Sequence, residues 1–337
     1  MALFDHPSFR EHDAGTGHPE SAARLDALRR GLRDARLEER LDFRTPREAT
    51  TAELARAHTP RYIDTIRKTA GKTVRFDADT QAGPGSSAAA AHAAGAVVEA
   101  VEGVLSGSFD RAFCAVRPPG HHALADRAMG FCLFNNVAVG AAHARSLGVS
   151  RIAIIDFDVH HGNGTEAIFW EDPSVLYVSS HEYPFYPGTG AISDIGGGEG
   201  RGFTLNLPLP AGLGDWDYDA LYRGIVEPVV QGFSPELVLV SVGFDPHKDD
   251  PLAGMRVSER GFAALAASCL RTARGGARGK AVFVLEGGYD LSGIAASAAA
   301  LVGVLLGEEP EPIPGEGEGI VGAYRQHLAA TWPCLAG

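Results

Sequence analysis

Five short runs of almost wholly apolar residues, rich in β-branched side chains, constrain this chain more than any other feature. They lie at 111–116 (RAFCAV), 151–156 (RIAIID), 174–179 (SVLYVS), 236–242 (ELVLVSV) and 280–285 (KAVFVL). A strand with one wet face alternates apolar and polar residues. A run that is apolar throughout suits a strand covered on both faces, as in a parallel sheet. Helical segments are expected between them, at 86–105, 135–147, 164–170, 217–231 and 258–274, the last starting at Ser258. The alternation predicts an α/β fold of three layers, α/β/α, around a mostly parallel central sheet. No repeat or low-complexity linker interrupts it, so 1–337 is expected to form a single domain. The acidic, Pro/Gly-rich stretch 306–319 reads as a surface excursion before a last helix at 320–330.

In open sheets of this kind, ligands bind beyond the carboxyl ends of the strands. Four of the runs end in reactive residues. RPPGHH follows the first and carries His121 and His122. The second ends at Asp156 and continues as DFDVHHGNG, with Asp158, His160, His161 and Asn163. GFD brings Asp245, and EGGYD brings Tyr289. In extended backbone, residues i, i+2 and i+4 share a face, so Asp156, Asp158 and His160 can point into one cavity. Catalytic zinc keeps three protein ligands of His and carboxylate type and one open position. Asp158 and His160 supply two, and Asp245 is the natural third. The alternative, loop-capping groups with no metal, is disfavoured by the coincidence of these residue types at matching strand ends. His121 and His122 form a workable acid/base pair, with Asp156 and Asn163 as orienting acceptors. Tyr289, behind Gly287 and Gly288, can aim a hydroxyl at a developing oxyanion. Alone it would as readily be a half-buried loop tyrosine. Phe131, Phe185 and Tyr186 sit in Gly-bounded loops and either wall a narrow channel or belong to the core.

Composition removes several functions. The net charge is -12 and no basic stripe is present, so no nucleic-acid partner is expected. The acidic balance suits a cationic partner or simple solubility. Arginines at 24, 29, 30, 33, 36 and 40 alternate with acids and read as a solvated helix face. HPESAAR reads as a helix start with Ser21 near the cap. Four cysteines without CxxC spacing give no disulfide framework, and Cys114 is expected to be buried. The N-terminus lacks a secretory pattern, and no stretch looks like the roughly 18 apolar residues of a membrane span. A cytoplasmic protein without a membrane partner is therefore expected. No dinucleotide, Walker or GxSxG motif is present, and GGGEG at 196–200 reads as a loop.

Seven stretches together resemble the zinc-dependent histone deacetylase and acetylpolyamine amidohydrolase superfamily. They are HPESAAR (18–24), RPPGHHA (117–123), GFCLFNNVAV (130–139), DFDVHHGNGT (156–165), SSHEYPFYPGTG (179–190), GFDPHKDDPLAG (243–254) and LEGGYDL (285–291). They follow the family's order over roughly 15–300. The resemblance implies an arginase/deacetylase-like fold and one Zn2+ per chain on Asp158, His160 and Asp245. It makes His122 the general base and acid, and His121, paired with Asp156, its electrostatic partner. Asn163 orients His122, and Asn there is the pattern of the family's second subclass, which includes class II-type enzymes. Tyr289 becomes the transition-state tyrosine. Gly130, Phe131 and Tyr186 line a lysine tunnel, and Arg24 belongs to an acetate pocket. Structural K+ is implied at Asp156 and Ser179 with nearby carbonyls. Leu252 replaces the glutamate by which polyamine-selective members grip a distal ammonium. The implied substrate is therefore acyl-lysine in proteins or peptides, with an acetylpolyamine or other small amide as the alternative. Arginase-like chemistry needs a second metal, and His247 stands where its extra Asp would be.

Overall fold

Strands buried on both faces have nothing to do with their edges except pair with one another, and here they do. In a computed structural model describing residues 1–315 and 319–336, ten strands are formed. They are β1 (Ala2–Phe4), β2 (Asp42–Arg44), β3 (Val74–Arg75), β4 (Gln81–Ala82), β5 (Arg111–Cys114), β6 (Ile152–Asp156), β7 (Val175–Glu182), β8 (Thr204–Leu209), β9 (Leu237–Val242) and β10 (Ala281–Leu285). Eight build one sheet in the order β2-β1-β5-β10-β9-β6-β7-β8, and every pairing in it is parallel. β3 and β4 form a separate antiparallel hairpin. Every residue of β6, β7, β9 and β10 is buried.

The strand order fixes the layers. From β5 to β8 the chain steps one way across the sheet, and from β8 through β9 to β10 it returns. Crossovers between parallel strands are right-handed, so reversing direction moves the helices to the opposite face. Helices Ser86–Ser106 and Asn136–Ser146 accordingly pack together on one face, against β5, β10 and β9. Ala23–Asp34, Glu259–Ala273 and Leu291–Leu305 pack together on the other. The reversal leaves β6, β9 and β10 side by side in the middle, with their carboxyl ends over one crevice.

Several elements differ from expectation. β1, β2, β8 and the helix Leu291–Leu305 lie outside the expected elements, although Asp290 before an Ala-rich run is a helix-start signal for the last. The expected helix 217–231 runs as Asp215–Leu221, a π-helical turn Tyr222–Val226, and Glu227–Phe233. Pro228 explains the wide turn, because it has no N–H to continue the ladder and its ring crowds the carbonyl four residues back, that of Gly224. Ser258 occupies the N-cap position, but its hydroxyl donates to Asp215 instead of capping. Ser21 lies next to the N-cap of Ala23–Asp34, which is Ala22, but no side chain caps the helix. Arg24 is not on a solvated face: it is fully buried, while the other five arginines are exposed or half-buried. Ser86–Ser106 spans 21 residues and is apolar enough to cross a membrane by length and composition, contrary to expectation, but most of it is buried inside the fold. The last helix is Gly319–Leu328, and 316–318 of the acidic stretch lies outside the described residues.

Candidate functional site

The metal-ligand candidates come from strands that touch. β6 pairs with β9, and β9 pairs with β10, so Asp158, Asp245 and Gly287 leave adjacent strand ends. One ligand atom each from Asp158, His160 and Asp245 falls within 4.8 Å of the others. His160 Nδ1 lies 3.1 Å from Asp158 Oδ1 and 3.2 Å from Asp245 Oδ2. Their other oxygens are held by backbone: Gly287 N–H donates to Asp158 (2.7 Å) and Val159 N–H to Asp245 (3.0 Å). Asp245 Oδ2 is buried with no hydrogen-bond partner among the described residues. A Cβ at Gly287 would stand 2.1 Å from that oxygen, so only glycine leaves the cradle open. Two carboxylates, one imidazole and an orphaned buried oxygen fit a divalent cation of zinc type.

Electrostatics agrees. Burial opposes charge on His160, but Asp158 and Asp245 outweigh it and lift its pKa to about 10. Burial and the charge of Asp158 push Asp245 up to about 7. With no cation bound, a proton on His160 compensates the carboxylates. A metal must displace that proton, so binding releases protons.

The histidine pair is split by its partners. His121 Nδ1 donates to Asp156 Oδ2 at 3.0 Å. Burial lowers its pKa, yet Asp156 and Asp158 prevail and raise it to about 10. His122 Nδ1 meets Asn163 Oδ1 at 2.8 Å. An amide oxygen adds no charge, and burial, His121 and His160 hold His122 well below 6.5. Because Nδ1–H donates to Asn163, Nε2 keeps a free lone pair at neutral pH. Burial drives the Tyr289 hydroxyl well above 10, Arg24 opposing, so it stays a phenol able to donate.

A cavity of ≈ 240 Å³ joins these groups. His121, His122, His160, Gly287 and Tyr289 line it together with Gly130, Phe131, Phe185, Tyr186, Leu252, Pro119 and Asp79. Phe131 meets Tyr289 edge to face at 5.9 Å, and Tyr186 meets His122 at 5.1 Å. Phe185 also belongs to the wall, stacked on His160 at 5.5 Å. Gly130 is required: its φ is +57°, and a Cβ would lie 2.3 Å from the His122 ring. Phe131 itself has φ 67°, left-handed and strained for a bulky residue. Arg24 lies outside the cavity wall, its guanidinium 5.1 Å from the Tyr289 ring centre and donating to Gly288 O at 2.6 Å. Asp156 and Ser179 are register partners on β6 and β7, and Ser179 Oγ bonds His181 Nδ1 at 2.9 Å.

Sequence reasoning misses the carboxylates that support the site. Glu286 Oε2 accepts the N–H groups of Gly120 (2.6 Å) and His121 (3.1 Å), fixing the histidine loop; burial raises its pKa to about 7. Glu20 binds Arg24 and Arg117. Asp250 accepts from Leu252, Tyr289 and Asp290. Their partners are up to 166 residues away in sequence, so no local pattern reveals them.

The family model described as histone deacetylase domain matches residues 18–305. Histone deacetylase 14, chloroplastic, of Arabidopsis thaliana is 40% identical over 314 residues, covering 87% of this chain and 74% of that protein. Histone deacetylase 5 of the same plant is 39% identical over 97% of this chain, which spans about half (53%) of that longer relative. Among solved structures, the crystal structure of the HDA15 HD domain superposes with a TM-score of 0.92 at 37% identity, covering 99% of this chain and 96% of that one.

Proposed function

Since the chain belongs to the histone deacetylase family, we propose that it hydrolyses the amide of acyl-lysine side chains in proteins or peptides, with zinc at Asp158, His160 and Asp245. The observation that carries this reading is the shared cavity, lined by His160 and Gly287 of the ligand cradle, a neutral histidine and an un-ionised tyrosine. A zinc ion held by the triad supplies Lewis acidity toward water and the amide carbonyl. The chain's own residues do the rest. His122 Nε2 takes a proton from the attacking water as the new C–O bond forms. Tyr289 O–H donates to the carbonyl oxygen as it becomes an oxyanion. His121, kept cationic by Asp156, adds positive charge beside that oxyanion. When the C–N bond breaks, His122 returns its proton to the leaving amine, and a carboxylate and a free lysine result. Phe131 and Tyr186 grip the methylenes and exclude water. Arg24 is read as the acetate-pocket arginine, supported by its place behind Tyr289. A monovalent ion at Asp156 and Ser179 is supported by their register pairing, which places two oxygen-bearing side chains on adjacent strands.

The small-amine reading has one observation in its favour. Asp79, the sole carboxylate among the described lining residues, could hold a second ammonium. Leu252 on the same wall offers it no charge. Turnover of an acetyl-lysine peptide against acetylputrescine separates the two, and faster cleavage of the polyamine would reverse the assignment. Tyr289→Phe should lower turnover by about 10²–10³, the size of one oxyanion donor. Full turnover in that variant would remove Tyr289 from the mechanism.

A further inference from the structure

Asp250 is buried at 7% exposure, 5 residues beyond the ligand Asp245, in DDPLAG. Its two carboxylate oxygens serve different loops. Oδ1 accepts the N–H of Leu252 at 2.9 Å. Oδ2 accepts the N–H of Tyr289 at 2.6 Å and of Asp290 at 3.2 Å. Leu252 and Tyr289 face the same cavity, one at its rim and one at its reactive end. Asp290 in turn caps the helix Leu291–Leu305 through its own side chain. One carboxylate therefore joins the rim loop, the tyrosine backbone and a helix N-terminus. Three N–H donors, and no ion-paired cation among the described residues, satisfy it. Only a carboxylate can do this, because an amide presents N–H groups at one of the two positions and would meet another donor there.

We infer that Asp250 is a positioning residue for Tyr289, holding its hydroxyl in register with the rim residue Leu252. It touches neither substrate nor metal and acts through the tyrosine backbone. The inference rests on the proposed role of Tyr289, and a mutant cycle tells the two apart. Turnover of an acetyl-lysine peptide is measured for the zinc-loaded full chain, Asp250→Asn, Tyr289→Phe and the double variant, with zinc per chain and thermal midpoint recorded for each. Misplacing a reacting group by about an ångström costs up to about 10²-fold, so Asp250→Asn should lose between about tenfold and a hundredfold in kcat with its zinc intact. In the Tyr289→Phe background the same substitution should cost no more than about twofold, because the hydroxyl it positions is gone. A merely structural residue would cost the same in both backgrounds. Losses that multiply, or an Asp250→Asn enzyme with full kcat, would overturn the inference. A fully active Tyr289→Phe enzyme would overturn the tyrosine's role, and this inference with it. If Asp250→Asn does not fold, Asp250→Glu, which keeps the charge but shifts it by one methylene, takes its place in the cycle. A loss that vanishes in the Tyr289→Phe background would again support the positioning role, and a loss that multiplies would again overturn it.

Discussion

Two buried charge clusters lie within a few residues of each other at 286–289, and they are built on opposite principles. Behind Tyr289, Glu20 accepts from Arg117 Nη2 at 2.7 Å and Arg24 Nη1 at 3.0 Å, while His12 Nε2 stands 3.2 Å away without a hydrogen bond. The spare guanidinium N–H groups donate to the carbonyls of Phe9, His12, Gly288 and Glu286. Burial works against the Glu20 charge, but Arg117 outweighs it and holds the carboxyl well below its ordinary range. In front of Tyr289, Asp158 and Asp245 face a single imidazole, and Asp245 Oδ2 has no hydrogen-bond partner among the described residues. The first cluster sets two guanidiniums on one carboxylate and has its spare N–H groups taken up by backbone carbonyls, so it is satisfied from within as a strut. The second has an excess of negative charge, and on the proposed reading a cation from outside completes it. Burial alone therefore does not mark a functional site; the informative sign is a buried group of anionic, metal-ligating oxygens that converge on one point instead of on donors of the chain.

The largest effect should come from the open cluster. Asp245→Asn removes one proposed anionic ligand, so zinc per chain by elemental analysis should fall well below one. Turnover should drop on the order of 10³-fold or more, the several kcal/mol a Lewis acid contributes. A variant that kept its zinc would break the contrast. Next is the closed cluster. Glu20→Gln strands two buried guanidinium groups and should cost about 3–5 kcal/mol of unfolding free energy in urea titrations, with zinc per folded chain unchanged. Equal loss of zinc would show that the clusters are one unit.

The smallest expected effect belongs to a buried group that carries no charge. His58 Nδ1–H donates to Leu124 O at 3.0 Å, and Nε2 accepts the N–H of Asn135 at 2.9 Å. A second ring proton would point at that N–H. Burial, which dominates, lowers its pKa to about 4 from an ordinary value of 6.5. Below about pH 6.5 the unfolded chain binds a proton that the native state refuses until about pH 4. Stability should therefore be full above 6.5 and fall by about 3 kcal/mol as the pH drops through that window. His58→Gln should flatten this slope, read as the difference between urea midpoints at pH 7 and pH 4.5. An unchanged slope would assign the acid sensitivity elsewhere.

These groups also show where sequence is readable. The central strands are legible because burial on both faces makes them apolar throughout, and parallel topology then places their terminal Asp, His and Tyr residues in one crevice. β1, three residues long, and β8, interrupted by Pro208, offer no such run. Asp158, His160, Asp245, His121, His122, Asn163 and Tyr289 are legible as candidates because their residue types cluster just beyond strand ends, with Asp158 and His160 two residues apart along extended backbone. Glu20, Glu286 and Asp250 are not, because each also serves a donor that only the fold brings near: Arg117, Gly120 and Tyr289 respectively. Arg24 misleads for the same reason: beside five solvated arginines, nothing local distinguishes the one that turns inward.

Phe131 shows what such a site means for anyone who would improve this protein. Its left-handed backbone is held by Thr80 Oγ1 on its N–H at 3.2 Å and by the rings of His18 and Tyr289. A glycine there would adopt the same φ without strain, so a search for thermostability would be drawn to it. The aromatic wall would be lost in the exchange. At this position fold and catalyst make opposing demands on one residue, and a screen that ranks variants by melting temperature alone would select away from the enzyme.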